Sequence, residues 1–216
     1  MIVNASGMTW LHMTEIPLAK QKTNSCRAAE KLRKWLDEGA EGRLILSRDD
    51  FIDQQFSLTH LLFSGPLKER LAQRWRSFCA YMGQFTPFCG WKNFWYRRAG
   101  VKIGPDAYIA PGVVLDLLFP QLITLEDEAV LGFGAMVMAH VYTPDRIVLA
   151  RATIKKRGLV GGRAILAVAD LGEESVLGAN TFTMRSIGDG QTASGPPLIC
   201  RDNKNRPPAG EGISDE

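Results

Sequence analysis

Aliphatic residues recur at every sixth position through the second half of this chain. Leu125, Leu131 and Val137 show the spacing, and it continues on both sides of them. Strands of ordinary sheets alternate with a period of two, so a sustained period of six is not expected from them. Such a period is typical of a parallel β-helix, in which each hexapeptide supplies one short strand and one corner. We therefore predict stacked triangular coils of about eighteen residues, with neighbouring strands about 4.8 Å apart.

The predicted hexapeptides share a large aliphatic residue at the first position and often a small or β-branched residue at the fifth. Short offsets interrupt them near Pro120, after His140 and before Leu171. Glycines such as Gly104 and Gly132 directly follow the aliphatic residue, where the chain must bend. The hexapeptides begin at Ile103, Ile109, Leu115, Leu125, Leu131, Val137, Val148, Ile154, Val160, Leu166, Leu171 and Leu177.

The first half of the chain has a different pattern. We predict an N-terminal helical and loop region over residues 1–100, the repeat domain over 101–187, and an extended or flexible tail over 188–216. The segment 26–36 has a helix-forming composition, and the glycines that follow it are stop signals. A second helix is predicted over 66–82, with its larger apolar residues on one face.

An aromatic segment precedes the repeats, running from Phe85 to Arg98. We expect it to plug the open end of the first coil, which must be covered. The alternative is an amphipathic segment at a membrane interface, which would suit a lipid-linked substrate.

Composition excludes several function classes. The net charge of +3 over 216 residues does not predict nucleic-acid binding, which needs a concentrated basic face. The four cysteines form no CxxC pair, so we expect free thiols in a reducing cytoplasm and no metal site. We find no pattern of a signal peptide or of a membrane span in the sequence.

Three blocks of the repeat domain resemble the hexapeptide-repeat acyltransferases, which include maltose, galactoside and serine acetyltransferases and many sugar O-acetyltransferases. The resemblance covers residues 97–187, with blocks at 97–104, 122–140 and 171–185. It implies a mainly β fold, a left-handed parallel β-helix of hexapeptide repeats with an N-terminal helical region. It also implies a homotrimer whose active sites lie between adjacent subunits.

His140 is the candidate catalytic residue. The resemblance implies that it is the general base, and a neutral imidazole that titrates near pH 7 suits the removal of a hydroxyl proton. The negative charge on the thioester oxygen needs donors such as a backbone N–H. Glu126 or Asp127 are candidates to orient the ring. A metal site of the γ-class carbonic anhydrase type is not expected, since the other two histidines, His12 and His60, precede the repeats.

The resemblance also implies residues that bind coenzyme A. Gly162 and Ala179 match small residues whose backbone follows the pantetheine arm in successive coils. Arg185 matches a position near the nucleotide phosphates, where the family often has lysine, and keeps its charge. The chain departs from the family at Ala167–Asp170, which replaces the usual Pro-Gly-Val turn.

The sequence thus predicts a coenzyme A-dependent O-acyltransferase that takes acetyl-CoA as donor and a sugar or glycan hydroxyl as acceptor. N-acylation of an amino sugar or an amine is the closest alternative. A second alternative is a β-helix without catalytic activity, which serves as a scaffold. We expect a small-molecule or glycan acceptor, no nucleic acid, and at most a peripheral membrane contact.

Overall fold

The computed structural model describes residues 18–51, 66–195 and 199–202, with side chains over 27–51 and 66–195. Among these residues, no helix is long and apolar enough to cross a membrane. The predictions made for His12, His60 and the segment after 202 lie outside the described residues.

Over 18–51 and 66–99 the structure has three α-helices, one strand and a short 3-10 helix, Arg48–Asp50. Helix α1 spans Leu18–Asp37, strand β1 spans Arg43–Ser47, helix α2 spans Leu67–Phe85 and helix α3 spans Cys89–Ala99. Both predicted helices are confirmed. The stop signals also act as expected, since Gly39 follows α1 with a left-handed φ of 94°, which glycine adopts without steric cost.

The rest of the chain winds through three sheets of parallel strands, visiting each in turn, so that each circuit forms one coil of a stack. The first face consists of β2 (Lys102–Ile103), β5 (Ile123–Leu125) and β10 (Ala152–Ile154), continued by single bridges at Leu171 and Ile187. The second face consists of β3 (Tyr108–Ile109), β6 (Val130–Leu131), β11 (Leu159–Val160), β13 (Val176–Leu177) and β15 (Gln191–Ser194). The third face consists of β4 (Val114–Leu115), β7 (Met136–Met138), β12 (Ile165–Ala167) and β14 (Phe182–Thr183).

The six-residue register sets how the coils stack. Leu131 pairs with Ile109 on one side and with Val160 on the other. These aliphatic side chains are buried at the centre of the stack, where each contributes about 1.5–3 kcal/mol through burial. The parallel strands and the hexapeptide register predicted from the sequence are therefore confirmed.

One predicted hexapeptide is wrong. Val148 does not begin a coil strand but lies in β9 (Arg146–Ala150), which pairs antiparallel with β8 (His140–Tyr142) and with β1. The chain leaves the stack after β7, forms this hairpin, and returns at β10. The prediction failed because Val148 stands six residues before Ile154 and is apolar, as a coil residue would be. It is apolar for another reason, since it packs against Val168 and its neighbours.

Extra residues enter the described coils at the corner that joins the third face to the first. The connections there cover residues 116–122 and 139–151, and then shorten to 168–170 and 184–186. The other two corners keep nearly constant lengths from coil to coil. The corner between the third and first faces is called the variable corner below.

Helix α3 covers the first coil. The Tyr96 hydroxyl donates to the carbonyl of Val113 over 2.8 Å, and the Lys92 ammonium donates to the carbonyl of Ala110 over 3.0 Å. Both side chains are fully buried. Burial raises the pKa of Tyr96 and lowers the pKa of Lys92, because the charged forms lose their water. The inner face of the aromatic segment thus acts as the expected plug.

The parallel stacking extends past the predicted end at residue 187. Strand β15 pairs in parallel with β13, and β16 (Ile199–Asp202) then pairs antiparallel with β15. Strand β16 thus pairs with the outer edge of β15 and is the last described strand of the second face.

Candidate functional site

An aspartate and a histidine meet at the variable corner. Asp116 directly follows β4, and His140 begins β8, two residues after β7. Because β4 and β7 are neighbours on the third face, with Leu115 opposite Val137, the two exits from this face lie side by side. The result is a contact of 2.5 Å between His140 Nδ1 and Asp116 Oδ2.

Backbone donors fix the carboxylate of Asp116, which is fully buried. Its Oδ1 accepts hydrogen bonds from the N–H groups of Leu118 at 2.9 Å and Phe119 at 3.0 Å. Its Oδ2 accepts one from the N–H of Ala139 at 2.8 Å, beside the contact with His140. A carboxylate with four donors is satisfied in its ionised form and cannot turn without losing them.

This arrangement selects the tautomer of the neutral His140 imidazole. Since the ionised carboxylate only accepts, the proton of a neutral imidazole resides on Nδ1, and Nε2 keeps a free lone pair. The ring of Phe119 packs edge-on against the imidazole, with centroids 5.7 Å apart and an angle of 65°. The histidine side chain keeps 13% of its surface exposed. The geometry therefore presents an oriented, partly accessible base.

The two residues named from the sequence as candidates to orient the ring do not do so, and this correction follows from the coil topology. Glu126 and Asp127 lie at the corner between the first and second faces, directly after β5. There the Glu126 carboxylate accepts from the N–H of Lys156 at 3.0 Å. Sequence reasoning missed Asp116. The sequence contained a signal for Asp116. Leu115 and Val137 are matched positions in successive coils, and each is followed by a break in the six-residue register, so the residues after them could have been expected to meet.

Gly162 and Ala179 occupy the same place in successive coils, at the corner between the second and third faces. The carbonyl of Gly162 accepts from the N–H of Asn180 at 2.9 Å. The backbones pass so closely that a Cβ added at Gly161 would lie 2.5 Å from the nitrogen of Ala179. The corner is therefore narrow, with its backbone near the surface, since Ala179 is exposed.

Arg185 lies elsewhere. It is exposed at the variable corner, two coils after His140, and Thr183 Oγ1 accepts a hydrogen bond of 3.0 Å from its backbone N–H. Within one chain the structure therefore groups His140 with Arg185 and groups Gly162 with Ala179. The whole width of the third face separates the two groups.

The unusual turn at Ala167–Asp170 also lies at the variable corner. Ala167, Val168 and Ala169 are all buried, partly under the β8–β9 hairpin. Val168 has a φ of 47°, a left-handed conformation that costs a β-branched residue on the order of 1–3 kcal/mol. The N–H of Val168 donates to the carbonyl of Met138 at 2.7 Å. The turn thus braces the coil that carries His140, and of its four residues only Asp170 is partly exposed.

A cavity of about 390 Å³ lies beside this turn. Its wall includes Arg43, Arg151, Asp170 and Ser186. Asp170 is held in place, since its Oδ1 accepts from the N–H of Thr153 at 2.8 Å. No group of three or more potential metal ligands occurs among the described residues.

The chain is similar in sequence to two known proteins, in each case over about half of this chain's length. The chain is 27% identical over 119 residues to the Bacillus subtilis protein named "Putative acetyltransferase YvoF", a match that covers 54% of this chain and 69% of that protein. It is 25% identical over 132 residues to the carboxysome assembly protein CcmN of Synechocystis, covering 56% of this chain and 55% of CcmN. No protein-family model matches the chain.

Among solved structures, the hexapeptide-repeat acetyltransferase VCA0836 of Vibrio cholerae superposes with a TM-score of 0.55 at 14% identity. The match covers 65% of this chain and 96% of VCA0836. The chain has the fold of the hexapeptide-repeat acetyltransferases. The same Vibrio protein has also been solved in complex with acetyl coenzyme A, and that structure matches with the same TM-score of 0.55. The resemblance to this family found in the sequence is thereby confirmed in the fold.

Proposed function

We propose that this protein is a coenzyme A-dependent O-acyltransferase that transfers an acetyl group from acetyl-CoA to a sugar or glycan hydroxyl. The observation that carries the proposal is the Asp116–His140 pair, with a contact of 2.5 Å, in a fold shared with hexapeptide-repeat acetyltransferases. The proposal includes the left-handed winding of the coils that the family resemblance implies.

His140 Nε2 removes the proton of the acceptor hydroxyl as the oxygen attacks the thioester carbonyl. A carbon–oxygen bond forms, and the imidazolium that results is stabilised by the ionised Asp116 beside it. When the carbon–sulfur bond breaks, His140 returns the proton to the departing thiolate, so that free coenzyme A leaves as a thiol. The acetyl ester is the second product.

The placement of the coenzyme A candidates supports an active site shared between subunits. Gly162 and Ala179 lie on the far side of the third face from His140, so the two groups are not side by side in one chain. In a homotrimer, the His140 corner of one subunit would face the Gly162–Ala179 corner of the next. Arg185 would supply positive charge for the donor's phosphates.

Two measurements test the proposal. Acetyl-CoA is expected to raise the melting temperature of the protein, because a ligand that binds the folded state stabilises it. A panel of sugar and amine acceptors, read by release of free thiol, then identifies the acceptor class. A panel in which amines alone react would shift the assignment to N-acylation.

The variant His140→Ala tests whether His140 is the general base. We expect it to fold, to retain the acetyl-CoA thermal shift and to lose transfer. If it transfers acetyl groups at the wild-type rate, His140 is not the base. Light scattering measures the assembly in the same preparation, and a monomeric mass would contradict the shared site.

The match to CcmN supports a second candidate, a scaffold without acyl transfer. This candidate predicts no thermal shift with acetyl-CoA and no thiol release with any acceptor. It gives no role to the four hydrogen bonds that position the Asp116 carboxylate. For that reason we place it second.

A further inference from the structure

Helix α2 turns an apolar face toward solvent. Its buried residues, which include Gln73, Cys79 and Ala80, lie on one side of the helix. The opposite side carries residues that are about half or more exposed, with Trp75 at 51%. An ordinary surface helix has the reverse arrangement, with charged residues outward. The apolar residues on the exposed side are Leu67, Leu71, Trp75, Phe78, Tyr81 and Phe85.

Helix α3 continues the same surface. Lys92, Tyr96 and Ala99 face the coil stack, while Trp91, at 66%, and Phe94 are exposed. Phe88, just before α3, is also exposed. The exposed apolar residues of α2, together with Phe88, Trp91 and Phe94, are called the aromatic face.

Ring contacts join the two helices across the aromatic face. Trp75 stacks on Phe78 with centroids 5.8 Å apart, and Phe78 meets Trp95 edge-on at 6.2 Å. Trp95 in turn contacts Phe94 at 5.4 Å. These four rings form one connected cluster across the two helices. Contiguous exposed apolar patches mark interaction sites, whereas single exposed residues do not.

Helices α2 and α3 carry an excess of positive charge. Between residues 66 and 99 the sequence has seven Lys and Arg residues and the single carboxylate of Glu69, a net charge of +6 in a chain whose total is +3. Of these cations Lys92 is buried, and the others are partly or fully exposed. Arg98 lies over the ring of Phe94, 5.5 Å from its centroid, so cation and aromatic ring belong to the same surface.

We propose that the aromatic face docks the protein on an anionic lipid surface. Aromatic rings at the interface and cations toward lipid phosphates are the two components that peripheral membrane contacts combine. A second copy of this chain fits less well, because it would bring the same excess of positive charge against this one. The proposal does not depend on acyl transfer. It assigns the exposed residues of the aromatic segment to a membrane interface, while the buried residues of the same segment plug the first coil.

Vesicle sedimentation tests the proposal with the full chain. We expect binding to vesicles of equal parts phosphatidylcholine and phosphatidylglycerol, little binding to phosphatidylcholine alone, and severalfold weaker binding as salt rises. The double variant Trp75→Ser, Trp91→Ser should weaken binding by about tenfold or more. Both indoles are at least half exposed, so circular dichroism and the melting temperature should match those of the wild type.

Matched control variants distinguish binding through the aromatic face from nonspecific adsorption of the protein to vesicles. Phe182→Ser removes an exposed aromatic residue from the third face, where 56% of it is accessible, and should leave sedimentation unchanged. Arg98→Glu should weaken binding, while Arg157→Glu, at a coil corner, should not. Absence of sedimentation with the anionic vesicles would overturn the proposal. A lower molecular mass of the double variant relative to the wild type would also overturn it, because the face would then be an interface between copies.

Discussion

The substitution Asp116→Asn isolates the contribution of the carboxylate to the site. It preserves the shape of the side chain but replaces one acceptor oxygen with an NH2 donor. In the wild type Oδ1 accepts from two backbone N–H groups, and Oδ2 accepts from Ala139 and His140. Either orientation of the amide therefore places a donor against a backbone donor.

The magnitude follows from that count. A buried donor left without an acceptor costs about 1–3 kcal/mol, so we expect the free energy of unfolding to fall by about that amount. An amide NH2 that faces His140 donates to Nδ1, which moves the imidazole proton to Nε2 and removes the basic lone pair. We expect kcat to fall by about 10²- to 10⁴-fold, the range of a general base.

Two assays report these effects separately. Thiol release from acetyl-CoA, with the acceptor found by the panel, gives kcat. Nitrogen NMR of ¹⁵N-histidine-labelled protein gives the tautomer, and the chain has only 3 histidines to assign. Wild-type His140 should carry its proton on Nδ1 and the variant should carry it on Nε2.

Asp127→Asn is the matched control, since it removes the same charge from an exposed carboxylate at another corner. It should change neither the rate nor the spectrum. If Asp116→Asn keeps kcat within a factor of about two and leaves the tautomer unchanged, the carboxylate does not orient the base.

Three further predictions concern the framework. Gly161→Ala should lower the free energy of unfolding by about 1–3 kcal/mol, because the new Cβ would lie 2.5 Å from the backbone nitrogen of Ala179. Gly90→Ala, whose Cβ would have no atom within 4 Å, should raise the free energy of unfolding by about 0.5–1 kcal/mol through helix α3. Urea unfolding measures both changes. Burial raises the pKa of the Cys79 thiol, so alkylation at pH 8 followed by peptide mass mapping should find it unmodified unless the protein is unfolded. The pKa of Lys92 is lowered in the folded state from its usual 10.5, so between the folded and unfolded pKa values the unfolded chain binds more protons. The free energy of unfolding should therefore rise as the pH increases through that range. Urea unfolding of Lys92→Met should show a smaller rise.

The sequence predicted the coil stack well because the six-residue period is both local and repeated. A residue such as Leu131 is specified by its own position and by matched positions one coil away. Helices α1 and α2 follow from composition, whereas α3 was not predicted as a helix. The side that α2 turns outward depends on what the coil stack leaves for it to cover. The apolar stripe of α2 would ordinarily predict burial, and the structure exposes it instead.

The site was predictable only in part. His140 stood out as a histidine within a strong repeat, while Asp116 lies 24 residues earlier and becomes its neighbour only through strand pairing. Strand β1 was missed for the same reason, because it forms by pairing with β9 more than a hundred residues later. Contacts between distant segments have no local period to reveal them.

The variable corner separates chain length from strand pairing. The chain makes a long excursion over 139–151, yet β10 returns to pair with β5 in parallel register. Surface connections of this kind tolerate changes of length. The proposed catalytic pair lies in two such segments, with Asp116 in 116–122 and His140 in 139–151. If His140 is the base, the segments beside it can change in length while the strand pairs of the three faces are kept. Exchanging these two segments with those of relatives would then test whether they select the acceptor.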